Sequence, residues 1–244
     1  MDKSILMEAI KGKYVLLAGA TGGIGSATAR LFAGSGAHLF LTGRNQDKLS
    51  RIAAETGLPE HASLATDISS EEQVALLHEA YFKCYPRIDI LINAAGLGII
   101  KPLESLTADD MMRSLNANLL GSFNLVRSFL PHMKSEKKGL IINIPGVLGK
   151  TPMAGAAAYS ASKYALVGMM QSIREELKRT EIRITNIYMG GVDTPFWDTI
   201  DLRVQKEKMI RAEEAAKAIW FLAQQPASAV VSEMVLQPFN HQAI

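Results

Sequence analysis

Ala18-Gly19-Ala20-Thr21-Gly22-Gly23-Ile24-Gly25 is the stretch whose reading decides the fold. It follows the short apolar run 14–18 and leads straight into the amphipathic stretch 23–34, so it reads as strand, tight turn and helix in immediate succession. Glycines in such a turn let the chain reverse sharply and bring backbone N–H groups against an anion at the positive end of the helix. In this context the chemistry is that of a dinucleotide diphosphate, with Gly19, Thr21, Gly22, Gly23, Ile24 and Gly25 as its candidate contacts.

The same alternation continues along the chain. Apolar runs at 38–42, 62–65, 88–93, 140–144, 182–188 and 230–236 are separated by helical patterns at 45–57, 70–85, 107–132, 157–180 and 211–225. Strands alternating with helices imply βαβ units, and their right-handed crossovers place helices on both faces of the sheet. The expectation is one α/β, doubly wound Rossmann domain over 1–244, with a seven-stranded parallel sheet and ligands at the carboxyl ends of its strands.

Composition excludes several classes. The chain has 244 residues, 48% of them hydrophobic and 20% charged, which suits one large core. A formal net charge of +2, with basic residues dispersed, points to neither nucleic acid nor an anionic membrane as partner. Cys84 is the single cysteine, so no intrachain disulfide forms. His38, His61, His78, His132 and His241 are too scattered to suggest a local metal motif, and no metal is expected. The start, 1–10, is short and interrupted by charge for a signal peptide, and no apolar run reaches about 18 residues. A cytoplasmic protein is the expectation.

Further strand ends carry suitable residues. Where the second strand ends, a dinucleotide fold reads the adenosine ribose, and this chain has Gly43-Arg44 with no carboxylate. A carboxylate would accept from a free 2′-hydroxyl, whereas a guanidinium matches a 2′-phosphate, so NADP is favoured over NAD. The alternative is a solvated arginine in the turn Arg44-Asn45-Gln46-Asp47-Lys48. Asp67 and Ile68 follow the third strand, with the carboxylate a candidate acceptor for the adenine amino group. Asn93-Ala94-Ala95-Gly96 closes the fourth with small residues that let backbone approach a ligand. Taken singly, these two segments also read as an N-cap and a turn.

The helix 157–180 carries Tyr159 and Lys163, four residues apart and therefore on one face. A neighbouring ammonium favours the phenolate, so Lys163 is expected to pull Tyr159 below the usual phenol value of about 10, toward proton exchange near neutral pH. The same spacing also describes exposed helix neighbours.

In this order the motifs resemble the short-chain dehydrogenase/reductase family over essentially the whole chain. Its pattern Thr-Gly-x-x-x-Gly-x-Gly is matched at Gly19, Gly23 and Gly25, with Ala18 in place of the threonine, and its Asn-Asn-Ala-Gly turn appears as Asn93-Ala94-Ala95-Gly96. The resemblance implies hydride transfer between a nicotinamide and a carbonyl or alcohol carbon. It makes Tyr159 the proton donor and Lys163 the residue that tunes it and binds the nicotinamide ribose. Asn118, in Asn118-Leu119-Leu120-Gly121, becomes the anchor of a proton-relay water, and Gly190, Val192 and Thr194, in Gly190-Gly191-Val192-Asp193-Thr194, stand toward the carboxamide.

Two positions depart from the family. Thirteen residues before Tyr159, where the family has a serine that donates to the substrate oxygen, the chain reads Pro145-Gly146. Loss of one such donor costs about 10²–10³ in rate, or roughly 3–4 kcal/mol, against a total acceleration of about 10⁶ or more. Met189 replaces the proline of the family's turn after the sixth strand. An active or impaired oxidoreductase is the favoured reading, and a catalytically silent NADP-binding protein with a regulatory or assembly role the alternative. Thr151, Ser160, Ser162 or the substrate itself could supply a replacement hydroxyl; Ser160 and Ser162 project along other faces of the helix, which leaves Thr151 the better candidate. Leu97, Ile99, Ile100, Met153, Phe196 and Trp197 suggest an apolar pocket for a small carbonyl or alcohol, each reading equally as loop packing, while 195–209 is short for a lid. By resemblance, 107–132 and 157–180 would form a dimer face within a tetramer, giving a homodimer or homotetramer; their apolar content equally suits burial on the sheet.

Overall fold

The structure, a computed structural model, describes residues 9–240; most of the 1–10 stretch read for a leader, and His241, lie outside them. The elements run β1 (Tyr14–Ala18), α1 (Gly23–Gly34), β2 (His38–Gly43), α2 (Gln46–Glu55), β3 (Ser63–Ala65), α3 (Glu71–Cys84) and β4 (Ile90–Asn93). They continue with α4 (Ala108–Leu115), α5 (Gly121–Ser135), β5 (Lys138–Asn143), α6 (Ala157–Leu177), β6 (Glu181–Met189), β7 (Val192–Asp193), β8 (Ile210–Arg211), α7 (Ala212–Ala223) and β9 (Glu233–Leu236). Seven strands pair in the order β3-β2-β1-β4-β5-β6-β9, every pair parallel. The order reverses between β1 and β4, which opens a crevice at their carboxyl ends.

Helices cover both faces, so the strands are near-continuous apolar runs. Leu16, Phe40, Leu91, Ile141 and Ile184 pack toward α3, α5 and α6, while Val15, Leu17, Leu39, Ile92 and Ile142 pack toward α1, α2 and α7. Each fully buried side chain of this kind contributes about 1.5–3 kcal/mol. Helix starts follow their caps: Asn45 accepts from Lys48 N at 2.9 Å, Ser70 from Gln73 N at 3.2 Å, and Thr107 and Asp110 form a reciprocal capping box.

The structure corrects the helix expected at 107–132. It consists of α4, a π-helical turn at Asn116–Leu120, and α5, which runs on to Ser135. Gly121 N donates to Asn116 O, so one extra residue is looped into the helix. Local periodicity cannot reveal this, because the bulge is set by tertiary contacts: a Cβ on Gly121 would come within 2.7 Å of Ile68, and the Asn118 side chain is bound to Leu97. The seventh strand begins at Glu233 rather than 230, and the fourth at Ile90 rather than 88. The short parallel pair β7–β8, too short to read in sequence, ties both ends of the 195–209 segment together. Among the described residues no helix is long and apolar enough to cross a membrane.

Candidate active site

The glycine turn is shaped by what presses against it. Gly19 has φ +77°, and a Cβ there would lie 2.5 Å from the Ala94 carbonyl carbon. A Cβ on Gly23 would lie 2.4 Å from Thr194 Cγ2, and one on Gly25 2.1 Å from Gly19 O. The turn therefore presses bare backbone against the backbone of the β4 loop and against the Thr194 side chain. Gly22 caps α1 without a side-chain acceptor, and the first turn of α1 has no carboxylate, so its N–H groups suit an anion.

Two adjoining cavities open here, of about 900 Å³ and about 210 Å³, sharing Thr21, Gly22, Ala94, Ala95 and Gly96. Gly19, Arg44, Asp67 and Ile68 line the smaller one; Gly23, Ile24, Gly25, Gly190, Val192 and Thr194 line the larger. Arg44 is exposed. Asp67 Oδ1 accepts from Ser69 N at 3.0 Å and Ser69 Oγ at 2.7 Å, so one carboxylate oxygen already holds the turn before α3. Asn93 faces inward, donating to Ser122 Oγ at 2.7 Å and accepting from Ala95 N at 3.2 Å, and lines neither cavity. It shapes the loop that Ala94 and Gly96 present.

Tyr159 and Lys163, on the first turns of α6, both line the larger cavity. Lys163 is buried, and its Nζ donates to Ile144 O at 3.2 Å and stands 5.5 Å from the Tyr159 ring centroid. Burial pushes the Lys163 ammonium down to about 8 and the Tyr159 phenol up to about 12. The expected downward pull on Tyr159 is thus corrected in sign: desolvation of the phenolate outweighs an ammonium that is itself only partly charged near pH 8.

Asn118 lies in the π turn, buried, and lines neither cavity. Its Nδ2 donates to Leu97 O at 2.9 Å and Ser162 Oγ at 2.8 Å, and its Oδ1 accepts from Leu97 N at 2.8 Å. Its carbonyl accepts from Ser122 Oγ at 2.7 Å. The side chain clamps the Leu97 loop to α6. Gly96 passes between its Oδ1 and Lys163 Nζ, which a Cβ would approach to 3.0 and 3.2 Å.

Gly146 lines the larger cavity with φ +71° and ψ 169°, a conformation open essentially to glycine alone. Thr151 also lines it, whereas Ser162 Oγ is spent on Tyr159 O at 2.7 Å and Ser160 Oγ is buried away from it. Ile100, Met153, Phe196 and Trp197 form part of its apolar wall, Leu97 borders the smaller cavity, and Ile99 lines neither. Arg203, Lys208, Met209 and Pro238 also line the larger cavity, and sequence reading missed them: they carry no motif and arrive through the β7–β8 pairing and the β9 register.

The family profile described as short chain dehydrogenase matches residues 13–205. An uncharacterized oxidoreductase of Staphylococcus saprophyticus is 31% identical over 241 residues, covering 95% of this chain and 98% of its own. A metagenomic short-chain oxidoreductase solved in complex with NADP is 30% identical, covers 95% of this chain and 99% of its own, and superposes with a TM-score of 0.81. A 3-ketoacyl-(acyl-carrier-protein) reductase from Brucella melitensis, complexed with NADH, is 27% identical with a TM-score of 0.84 and covers 93% of this chain and 97% of its own. With the glycine turn, the seven-stranded sheet and the paired Tyr159 and Lys163 in place, the chain belongs to the short-chain dehydrogenase family and is an oxidoreductase of that type.

Proposed function

We propose that this protein interconverts a carbonyl and an alcohol with NADP(H), Tyr159 moving the proton. The observation that carries the reading is that Tyr159 and Lys163 line one cavity together with Gly22, Gly23 and Gly25 of the glycine turn and with apolar Ile100, Phe196 and Trp197. Backbone pressed together at Gly19, Gly23 and Gly25 and the uncapped start of α1 fit a dinucleotide diphosphate. Thr21, Gly22 and Ile24 would flank it, Arg44 would meet a 2′-phosphate, and Asp67, Ile68, Ala94 and Gly96 would border the adenosine. Gly190, Val192 and Thr194 would border the carboxamide. Solved relatives carry NADP or NADH, so the preference for NADP rests on Arg44 alone.

When bound, the nicotinamide supplies or accepts a hydride at the substrate carbon. Tyr159, held near 12, is protonated at neutral pH and gives its proton to the oxygen of the nascent alkoxide. Lys163 supplies positive charge below about pH 8 and would hold the nicotinamide ribose. With Gly146 at the serine position, Thr151, which lines the same cavity, would donate to the substrate oxygen. Exposed Met112, Leu120, Phe123 and Tyr164 on α4, the π turn, α5 and α6 support assembly as a homodimer or homotetramer through that face.

The test is a direct NADPH titration beside a panel of aldehydes and ketones, following loss of NADPH absorbance. Turnover of any member supports the reading. Tight NADPH binding with no turnover across the panel would leave a silent NADP-binding protein instead.

A further inference from the structure

Among the described residues four charged side chains line the larger cavity, Lys48, Lys163, Arg203 and Lys208, and all four are cationic. The chain carries 26 basic and 24 acidic residues, so a described wall without one carboxylate side chain departs from that balance. Lys48 lies on α2 four residues after Arg44, at the dinucleotide arm, and Lys163 lies beside Tyr159. Arg203 and Lys208 remain. Both belong to the segment between β7 and β8, which also brings Phe196 and Trp197 to the cleft. Met209, next to Lys208, packs against Gly191, where a Cβ would meet its Cγ at 3.3 Å.

The two other cations nearby are already paired. Lys206 Nζ meets Asp198 Oδ1 at 2.5 Å, and in β8 Arg211 Nη2 meets Glu214 Oε1 at 2.6 Å. Among the described residues neither Arg203 nor Lys208 pairs with a carboxylate, and the amides of Gln205, Gln237 and Asn240 line the same cavity. Tyr159, Phe196 and Trp197 form an aromatic run, with successive ring centroids 6.0 and 5.2 Å apart, and share their cavity with these two exposed, unpaired cations, which fits a molecule with an apolar body and an anionic end.

We infer that the substrates are anionic carbonyl compounds, their carboxylate or phosphate oxygens held by Arg203 and Lys208 while the apolar portion lies against Phe196 and Trp197. The inference rests on the carbonyl–alcohol reading above and narrows its substrate class. A guanidinium takes either oxyanion bidentately and an ammonium adds a point charge, so a carboxylate and a phosphate ester share the chemistry.

The experiment uses the full chain saturated with NADP⁺, so that no reduction occurs, and follows tryptophan fluorescence in a Trp220→Phe background, where Trp197 in the cavity is the remaining tryptophan. The probes are 3-oxooctanoate against its methyl ester, and 3-oxooctanoyl-coenzyme A against its N-acetylcysteamine thioester. At least one charged probe should bind about ten-fold or more tightly than its neutral partner, the effect of one or two charge-assisted hydrogen bonds. Arg203→Ala/Lys208→Ala should erase that margin, leave the neutral probe within about two-fold and leave NADP⁺ affinity unchanged. Preference confined to the first pair assigns a carboxylate, and to the second a phosphate.

Equal binding within both pairs, or no binding of either charged probe, overturns the inference. So does a double variant that weakens NADP⁺ while keeping the anion margin, which would give the two cations to the cofactor. Turnover with NADPH separates the two readings. Neutral esters reduced without any anion preference would sink the inference alone, whereas anion binding without consumption of NADPH by any probe would sink the carbonyl–alcohol reading and the substrate class with it, leaving Arg203 and Lys208 as an anion site only.

Discussion

Replacing Lys163 with methionine should stabilise the ligand-free protein at neutral pH while removing its activity. Lys163 is 3% exposed and its ammonium donates to Ile144 O, so a strongly hydrated cation is held in a nearly dry site. Burial lowers its pKa from 10.5 to about 8. The sign follows from proton counting. Between the folded and unfolded values the unfolded chain binds more protons, so wild-type stability rises with pH across that window. The penalty is complete below pH 8 and fades as pH approaches 10.5. With those two values it amounts to about 3 kcal/mol at pH 7 and about 1 kcal/mol at pH 10, since a ten-fold change in proton affinity is worth about 1.4 kcal/mol.

Methionine matches the stem without the charge, so Lys163→Met should unfold at higher urea than wild type at pH 7, and about 2 kcal/mol of that advantage should vanish by pH 10. The measurement is a urea titration of both proteins without cofactor, at fixed protein concentration, at the two pH values. A stability difference that does not change between pH 7 and 10 would show that the ammonium is well solvated in the folded state, and would refute the burial argument.

Arg44→Ala should weaken NADPH relative to NADH by about 1.5–3 kcal/mol, one charge-assisted contact, as read by direct titration of both; equal affinities in the unmodified protein would remove the NADP assignment. Tyr159→Phe should lower the rate of carbonyl reduction by about 10²–10⁴ while NADPH still binds, and retention of more than about a tenth of the activity would reject the phenol as acid. With Tyr159 near 12, alcohol oxidation should rise about ten-fold per pH unit through the mildly alkaline range, where only the phenolate can accept a proton, until loss of the Lys163 charge above about 8 flattens it. Gly146→Ser has room for its Cβ, 3.4 Å from Met189 O, but not the backbone conformation: φ +71° should cost about 1–3 kcal/mol of stability. The gain in kcat should therefore fall well short of the 10² that a well-aimed donor supplies, and a full 10²-fold gain in a protein of undiminished stability would show that the loop relaxes.

The architecture was legible along the chain because its signals are local. Apolar runs such as 14–18 and 38–42 alternate with amphipathic stretches whatever they pack against, and a glycine turn between strand and helix states its own backbone requirement. The i, i+4 spacing likewise guarantees that Tyr159 and Lys163 share a face of α6. What the local pattern cannot carry is decided by residues far apart in sequence. The π turn at Asn116–Leu120 exists because Asn118 binds Leu97 and Gly121 meets Ile68, contacts invisible to a 3.6-residue period. Asn93 turns inward because Ser122, 29 residues away, supplies its partner. The direction of the Tyr159 shift depends on how much water the surrounding loops exclude, so adjacency alone assigned it the wrong sign. Arg203 and Lys208 reach the cleft only because β7 and β8 pair across the loop that carries them, and a charge in a loop has no spacing from which its destination can be read.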